Sequence, residues 1–337
     1  YAPHTEADRA AMLRAIGASS PDELLAQIPA ELRARGYAWP AALAEPELLA
    51  HARALAARNR PLACFAGAGA RDRFVPAAVK ALTQRGEFLT AYTPYQAEAS
   101  QGMLQAIYEF QSSVCALYGL DVANASLYDG ATALAEAVAA AARIAGRGKI
   151  LVPETLHPEW RAVLATYFGA KGAPALETVP CPTGRIELAE LDRRLDDAVA
   201  AVVVATPNFF GLLEDGAGIA ARARAAGALT IAVADPVSLG VLEAPGVWGA
   251  DFAVGEGQGL GNALNYGGPY LGLFACKQAH LRHVPGRLCG LTTDAAGKRG
   301  FVLTLQAREQ HIRRERAASN VCSNEALCAL AATIHLA

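Results

Sequence analysis

An aspartate closing an apolar run, with a glycine-rich turn beyond it, carries the most chemistry in this sequence. Ala228-Leu-Thr-Ile-Ala-Val-Ala234 leads into Asp235-Pro236, and Val254-Gly-Glu-Gly-Gln-Gly-Leu-Gly261 follows. A carboxylate so placed can pair with a protonated ring nitrogen, and a lysine amine in such a turn can condense with an aldehyde. No lysine occurs between Lys171 and Lys277, and Gln258 stands roughly where that amine is expected. An amide nitrogen is not a useful nucleophile towards an aldehyde. Either the chain does other chemistry, or it keeps the scaffold and leaves the covalent step to a partner.

The layout is similar to that of pyridoxal-phosphate (PLP) enzymes, in which the Asp meets the pyridinium nitrogen and a Lys in the later turn holds the cofactor. Further segments fit it. In Asn124-Ala-Ser-Leu-Tyr-Asp-Gly-Ala-Thr-Ala133, small and polar residues open an alanine-rich helix, and Gly130 lets backbone approach a ligand. Free N–H groups at a helix start bind phosphate. Ser126, Asp129 and Thr132 serve equally well as plain helix caps. His157 follows an expected strand, where such enzymes set an aromatic or histidine on the cofactor ring; alone, it can as well be structural. Asn208, in Thr206-Pro-Asn-Phe-Phe-Gly211, either meets a ligand or shapes the turn.

Other polar groups stand apart from that layout. Ala91-Tyr-Thr-Pro-Tyr-Gln-Ala-Glu98 sets tyrosines ahead of a long helix, and a tyrosine has a flat apolar face and a polar tip for gripping a ligand. The same stretch also reads as an ordinary loop. His280 and His283 have helical spacing but no acidic or thiol partner beside them, so they read as surface histidines rather than a metal site. Arg308-Glu-Gln-His-Ile-Arg-Arg-Glu-Arg316 reads as a solvated helix face of i,i+3 and i,i+4 pairs, with a protein-facing surface as the alternative.

A sheet has to hold these residues. Strands are predicted at Ile150–Val152, Leu176–Val179, Val199–Ala205, Leu229–Ala234, Phe252–Val254 and Tyr270–Ala275. Helices are predicted at about 157–168, 187–195 and 217–226 between them, preceded by Ser100–Tyr118 and Thr132–Ile144. The alternation implies a mostly parallel sheet with helices on both faces. Ligands in such folds sit at the C-terminal ends of the strands, where Asp235 and the turn after Thr206-Pro207 belong.

Residues 1–60 read as a helical N-terminal arm with a structural or oligomer-wrapping role. Ser20-Pro-Asp-Glu23 is a helix start with Ser as cap, and a later helix is predicted from Pro46 to about Asn59. Residues 61–300 read as the α/β major domain, and 301–337 as a helical segment. A helical pattern from near Asn324 reaches Ala337 without a cap, so a truncated C-terminal small domain is expected beyond it.

The 337 residues are 53% hydrophobic and 18% charged with a net charge of −2, which indicates a globular chain and offers no basic field for nucleic acid. There are only five lysines. The seven cysteines are scattered without CxxC spacing, so most are expected to be buried and reduced. No apolar run approaches a membrane span, and a cytoplasmic location is the expectation.

Taken together, several blocks resemble one family. They include Phe88-Leu-Thr-Ala-Tyr-Thr-Pro-Tyr-Gln96, Tyr128-Asp-Gly-Ala-Thr-Ala-Leu-Ala-Glu136, Pro207-Asn-Phe-Phe-Gly211 and Val254-Gly-Glu-Gly-Gln258. Gly267-Gly-Pro-Tyr-Leu-Gly272, Pro285-Gly-Arg-Leu288, Arg299-Gly-Phe-Val-Leu-Thr-Leu-Gln306 and Arg308-Glu-Gln-His-Ile-Arg-Arg-Glu315 continue it. The chain is similar to the glycine decarboxylases, the P-proteins of the glycine cleavage system. Within them it is similar to the N-terminal-type chain, subunit 1, of the two-chain form.

The resemblance implies a PLP-dependent transferase-like fold and an α2β2 assembly with a homologous subunit 2 that carries the PLP lysine. It implies decarboxylation of glycine and transfer of the aminomethyl group to the lipoyl arm of H-protein. No catalytic residue is then expected on this chain. Ser126, Gly130, Thr132, His157, Asn208 and Asp235 become a vestigial cofactor pocket. Tyr92, Thr93, Tyr95 and Glu98 become the expected contribution to the partner's site or the lipoyl channel. The alternatives are a scaffold subunit that only stabilises its partner, and an independent PLP enzyme using Lys277.

Overall fold

The computed structural model describes residues 3–34, 36–60, 62–70, 72–88 and 93–337. It divides into two compact units, Tyr1–Phe65 and Ala66–Ala337. The first holds helices α1 (Glu6–Ile16), α2 (Pro21–Leu24) and α3 (Glu45–Ala56). Ser20 caps α2 as expected, accepting from the Glu23 N–H, and the Ser19 N–H donates to Glu23 Oε2 at 2.7 Å. The helix nevertheless ends after one turn, leaving Leu25 and Ile28 outside it. None of these helices buries a residue, yet α1 and α3 run for 11 and 12 residues, so the Ser20 cap marks where α2 begins but not how far it runs.

The second unit opens with α4 (Ala77–Thr83), α5 (Gln101–Tyr118), β1 (Val122–Ala123), α6 (Gly130–Ala145) and β2 (Lys149–Pro153). Next come α7 (Pro158–Phe168), β3 (Ala175–Val179), α8 (Leu188–Arg194), β4 (Val199–Ala205), α9 (Gly216–Ala225), β5 (Leu229–Val233) and β6 (Phe252–Glu256). It closes with β7 (Gly272–Cys276), β8 (Leu288–Thr293), β9 (Arg299–Thr304), α10 (Gln310–Arg313) and α11 (Ala326–Leu336). The main sheet has seven strands in the order β1-β7-β6-β5-β4-β2-β3. From β3 to β6 all pairings are parallel, and β7 runs antiparallel to both of its neighbours.

Side-chain alternation explains why this sheet is covered twice. Ala201 and Val203 of β4 face α6, whereas Val202 and Val204 face α9. In the same way Phe252 and Val254 of β6 face α6, and Ala253 faces α5. The alanines of α6 (133, 137, 140 and 141) are fully buried, and their small side chains let the helix lie close on the sheet. On the other side Phe110, Val114 and Tyr118 of α5 pack with Cys328, Ala329 and Ala332 of α11. Each large apolar side chain buried in this way stabilises the fold by about 1.5–3 kcal/mol. The residues beyond 300 therefore belong to the same core.

Three readings change. β8 and β9 form an antiparallel hairpin that packs Phe301 and Leu303 on Leu104 and Ile107 of α5, where no strands were predicted. The 308–316 stretch is not one solvated helix: α10 spans only Gln310–Arg313, and Glu309 is 5% exposed. Its carboxylate lies beside buried Arg287, so the neighbouring cation draws it inward. His280 is not a surface residue either. Its ring stacks on Phe252 at 5.0 Å and its Nε2 is 3.9 Å from Asp251. Among the described residues no cluster of His, Cys, Asp or Glu could hold a metal. Cys181, Cys276, Cys289 and Cys328 are buried, and burial pushes the Cys276 and Cys289 thiols up to about 12.

Candidate functional site

The C-terminal ends of β2, β4, β5 and β6, together with the start of α6, form the edge where a ligand is expected. Gly130 is the first residue of α6, and its N–H donates to Glu256 Oε2 at 3.0 Å. The N–H groups of Gln258 and Leu271 donate to Glu256 Oε1 at 2.8 and 3.0 Å. The donors that a helix start and a tight turn offer to an anion are thus taken by the chain's own carboxylate. Burial pushes Glu256 up to about 7, against these three donors, which pull it down. A Cβ on Gly130 would lie 2.5 Å from the Trp160 ring, so glycine is required for that contact.

The other polar residues of this edge are also committed. Thr132 and Asp129 cap each other, with the Thr132 N–H donating to Asp129 Oδ1 at 2.7 Å. Ser126 is fully buried and accepts from the Glu325 N–H at 3.0 Å. His157 Nδ1 accepts from the Glu159 N–H at 3.1 Å, while Nε2 lies 2.9 Å from the Ala68 carbonyl. One neutral tautomer satisfies both contacts, and the ring meets Phe209 edge-on at 5.0 Å. Asn208 Nδ2 donates to Gly184 O and Glu214 Oε1, both at 2.8 Å, and its Oδ1 accepts from Phe210 and Leu212. Of the two readings of Asn208, shaping the turn is the one its contacts fill.

Asp235 accepts from the Val237 N–H at 3.0 Å, and its Oδ2 is 3.7 Å from the Arg73 guanidinium. Gln258, 4% exposed, turns its amide back onto the Asn262 carbonyl within its own turn.

These residues do not fit PLP. A phosphate needs the donors that Glu256 holds. The aldehyde needs an amine where Gln258 lies, and the ring nitrogen needs a carboxylate that here faces Arg73.

A different cluster surrounds Tyr95. Tyr92 lies outside the described residues. Thr93 is half-buried, and Glu98 is exposed on a short 3-10 turn. The Tyr95 hydroxyl accepts from Arg287 NH2 at 3.0 Å, and the same guanidinium lies 5.2 Å from the Tyr95 ring centroid. Arg287 is 4% exposed and its Nε is 3.9 Å from Glu309 Oε2. His311 approaches Glu309 at 3.6 Å and meets Tyr95 edge-on at 5.6 Å. Burial raises the Glu309 carboxyl above its ordinary range, opposed by Arg287, His311 and Arg308. Among the described residues, Arg287 Nε, Arg308 Nε and Glu309 Oε1 are buried without a hydrogen-bond partner.

A family model described as the glycine cleavage system P-protein matches residues 1–337. The chain belongs to that family. It is 52% identical over 340 residues to the probable glycine dehydrogenase (decarboxylating) subunit 1 of Desulforamulus reducens, covering all of this chain and 76% of that one. A solved structure of a glycine decarboxylase P-protein in inhibitor-bound form superposes with a TM-score of 0.92 at 51% identity, covering 100% of this chain and 76% of that one. A sphingosine-1-phosphate lyase from Burkholderia pseudomallei shares the fold alone, with a TM-score of 0.58 at 15% identity over 90% of this chain and 71% of that one. The chain therefore has the PLP-dependent transferase-like fold expected from its sequence.

Sequence reasoning missed Glu256, Trp160, Arg73 and the Arg287–Glu309 pair. A signal existed for Glu256, because it is the one charged residue in the glycine-rich turn Val254–Gly261. Arg73 gave none. Arg287 and Glu309 stood in blocks that carry the family resemblance, but Arg287 was given no role and Glu309 was read as part of a solvated helix face.

Proposed function

We propose that this chain is the subunit 1 partner in a glycine dehydrogenase (decarboxylating) of the glycine cleavage system. The complex decarboxylates glycine and passes the aminomethyl group to the lipoyl arm of H-protein. PLP and its lysine belong to the homologous subunit 2, and two copies of each chain form an α2β2 assembly in the cytoplasm, with no role for nucleic acid or membrane. The observation that carries this reading is a lysine-free turn whose glutamate takes the N–H at the start of α6, where a cofactor phosphate is expected in this fold. PLP supplies, where it is bound, the electron sink for loss of CO2 from glycine.

This chain's part is to complete the partner's site through the 92–98 loop. Arg287 holds the Tyr95 hydroxyl and ring, so a half-exposed tyrosine is presented in one orientation. Tyr92, Thr93 and Glu98 share that loop. The N-terminal arm, whose helices bury none of their residues, wraps the assembly. An independent PLP enzyme is the weaker reading, because Lys277 follows β7 at the sheet edge opposite Asp235 and pairs with Asp251 at 2.6 Å.

The test is co-expression with the homologous subunit and an assay of glycine–bicarbonate exchange with H-protein. Activity is expected only from the two chains together. Full activity from the second chain alone would leave this one a bystander, and activity from this chain alone would overturn the proposal.

A further inference from the structure

The disagreement between this cleft and the cofactor of its fold goes deeper than a missing lysine. Glu256 uses both carboxylate oxygens on backbone donors from three places in the chain: the start of α6, its own turn and the approach to β7. The side chain has little room to leave. On one side of it, a Cβ at Gly255 would lie 2.3 Å from the Ala234 carbonyl and from the Tyr118 hydroxyl. On the other, a Cβ at Gly257 would lie 2.8 Å from Leu273. The backbone carrying Glu256 is therefore wedged into the sheet, and Trp160 closes the approach over Gly130.

We infer that Glu256 is a built-in anion that shuts the phosphate of PLP, or of any phosphorylated pyridoxal, out of this subunit. Ionised, the carboxylate repels a phosphate at contact. Protonated, it still fills the volume, and its oxygens still accept from the Gly130, Gln258 and Leu271 N–H groups. A lysine restored at position 258 would thus gain an amine but no phosphate anchor. The inference stands on this chain's geometry alone and does not depend on which chain carries the cofactor in the complex.

The experiment compares PLP with unphosphorylated pyridoxal on the purified full chain. In a Gln258→Lys variant the new amine condenses with the aldehyde, water leaves, and borohydride reduces the C=N bond to a stable secondary amine. Peptide mass spectrometry then measures labelling at position 258. With Glu256 intact, PLP is expected to label no better than pyridoxal. In the double variant Glu256→Ala with Gln258→Lys, PLP is expected to gain at least about tenfold over pyridoxal, and inorganic phosphate is expected to abolish that gain.

A strong preference for PLP in the single variant, suppressed by phosphate, would overturn the inference. So would a double variant that is folded by circular dichroism and shows no preference. If the double variant does not fold, the single variant still decides: equal labelling supports closure, and a phosphate-dependent preference refutes it.

Discussion

The cleft at the start of α6 and the corner around Tyr95 use similar residues and reach opposite states. In the cleft, Glu256, Asn208, His157 and Thr132 have their polar atoms taken up by partners within the chain. At the corner, buried atoms of Arg287, Arg308 and Glu309 have no hydrogen-bond partner among the described residues, and Tyr95 is 48% exposed. A fully satisfied polar network rigidifies a fold, whereas unsatisfied buried groups cost free energy and persist where another role keeps them. The named groups at the fold's ligand edge are thus paired within the chain. Arg161 Nε and His335 Nδ1 are also buried without a partner among the described residues, but Arg287, Arg308 and Glu309 gather such atoms at the Tyr95 corner, beside the loop proposed to meet the partner.

The sharpest way to break this contrast is Arg287→Ala. Removing the cation leaves Glu309 buried beside an empty space, and a loss of about 3–5 kcal/mol in denaturant unfolding is expected. A loss below about 1 kcal/mol would mean that the corner is as relaxed as a surface ion pair.

Glu256 gives the next largest effect, through pH. Its folded pKa is raised from the ordinary 4.5 to about 7. The folded chain therefore holds a proton that the unfolded chain has lost. This contribution is fully present below pH 4.5 and is lost as pH rises through about 7, amounting to about 3 kcal/mol. Glu256→Gln should remove that decline from urea unfolding measured between these limits. An unchanged slope would place the titrating group elsewhere.

Asn208→Ala should cost about 1–3 kcal/mol by stranding the groups it bonds, and the cofactor content of the two-chain complex should not change. Loss of cofactor would return the cleft to a binding role. Tyr95→Phe has the smallest expected effect on stability, about 1 kcal/mol for one hydrogen bond to Arg287. Its turnover in the reconstituted complex should nevertheless fall by about tenfold or more. Unchanged turnover would remove the 92–98 loop from the active site.

Much of this architecture was legible in the chain. β4 is apolar throughout and is buried throughout, and the alanine run of α6 marks the helix that lies against the sheet. The β8–β9 hairpin was not legible, because its far end is solvated. Leu291 is 53% exposed and Thr292 and Thr293 are exposed, so neither a continuous apolar run nor a clean alternation appears. Glu256 was visible as a residue but not as a plug, since its donors at 130, 258 and 271 converge only after folding. Glu309 sits in a charged run, and burial of a charge depends on a distant cation that no local pattern reveals. The α2 start was correctly marked by Ser20, but a cap does not set how far a helix runs.

The most direct test of the central claim is to locate the cofactor in the assembled complex. The two chains would be reconstituted with PLP, reduced with borohydride and mapped by peptide mass spectrometry. The account predicts a stoichiometric pyridoxyl group on one lysine of the partner and none on Lys80, Lys149, Lys171, Lys277 or Lys298 of this chain. A stoichiometric adduct on any of those five lysines would contradict it.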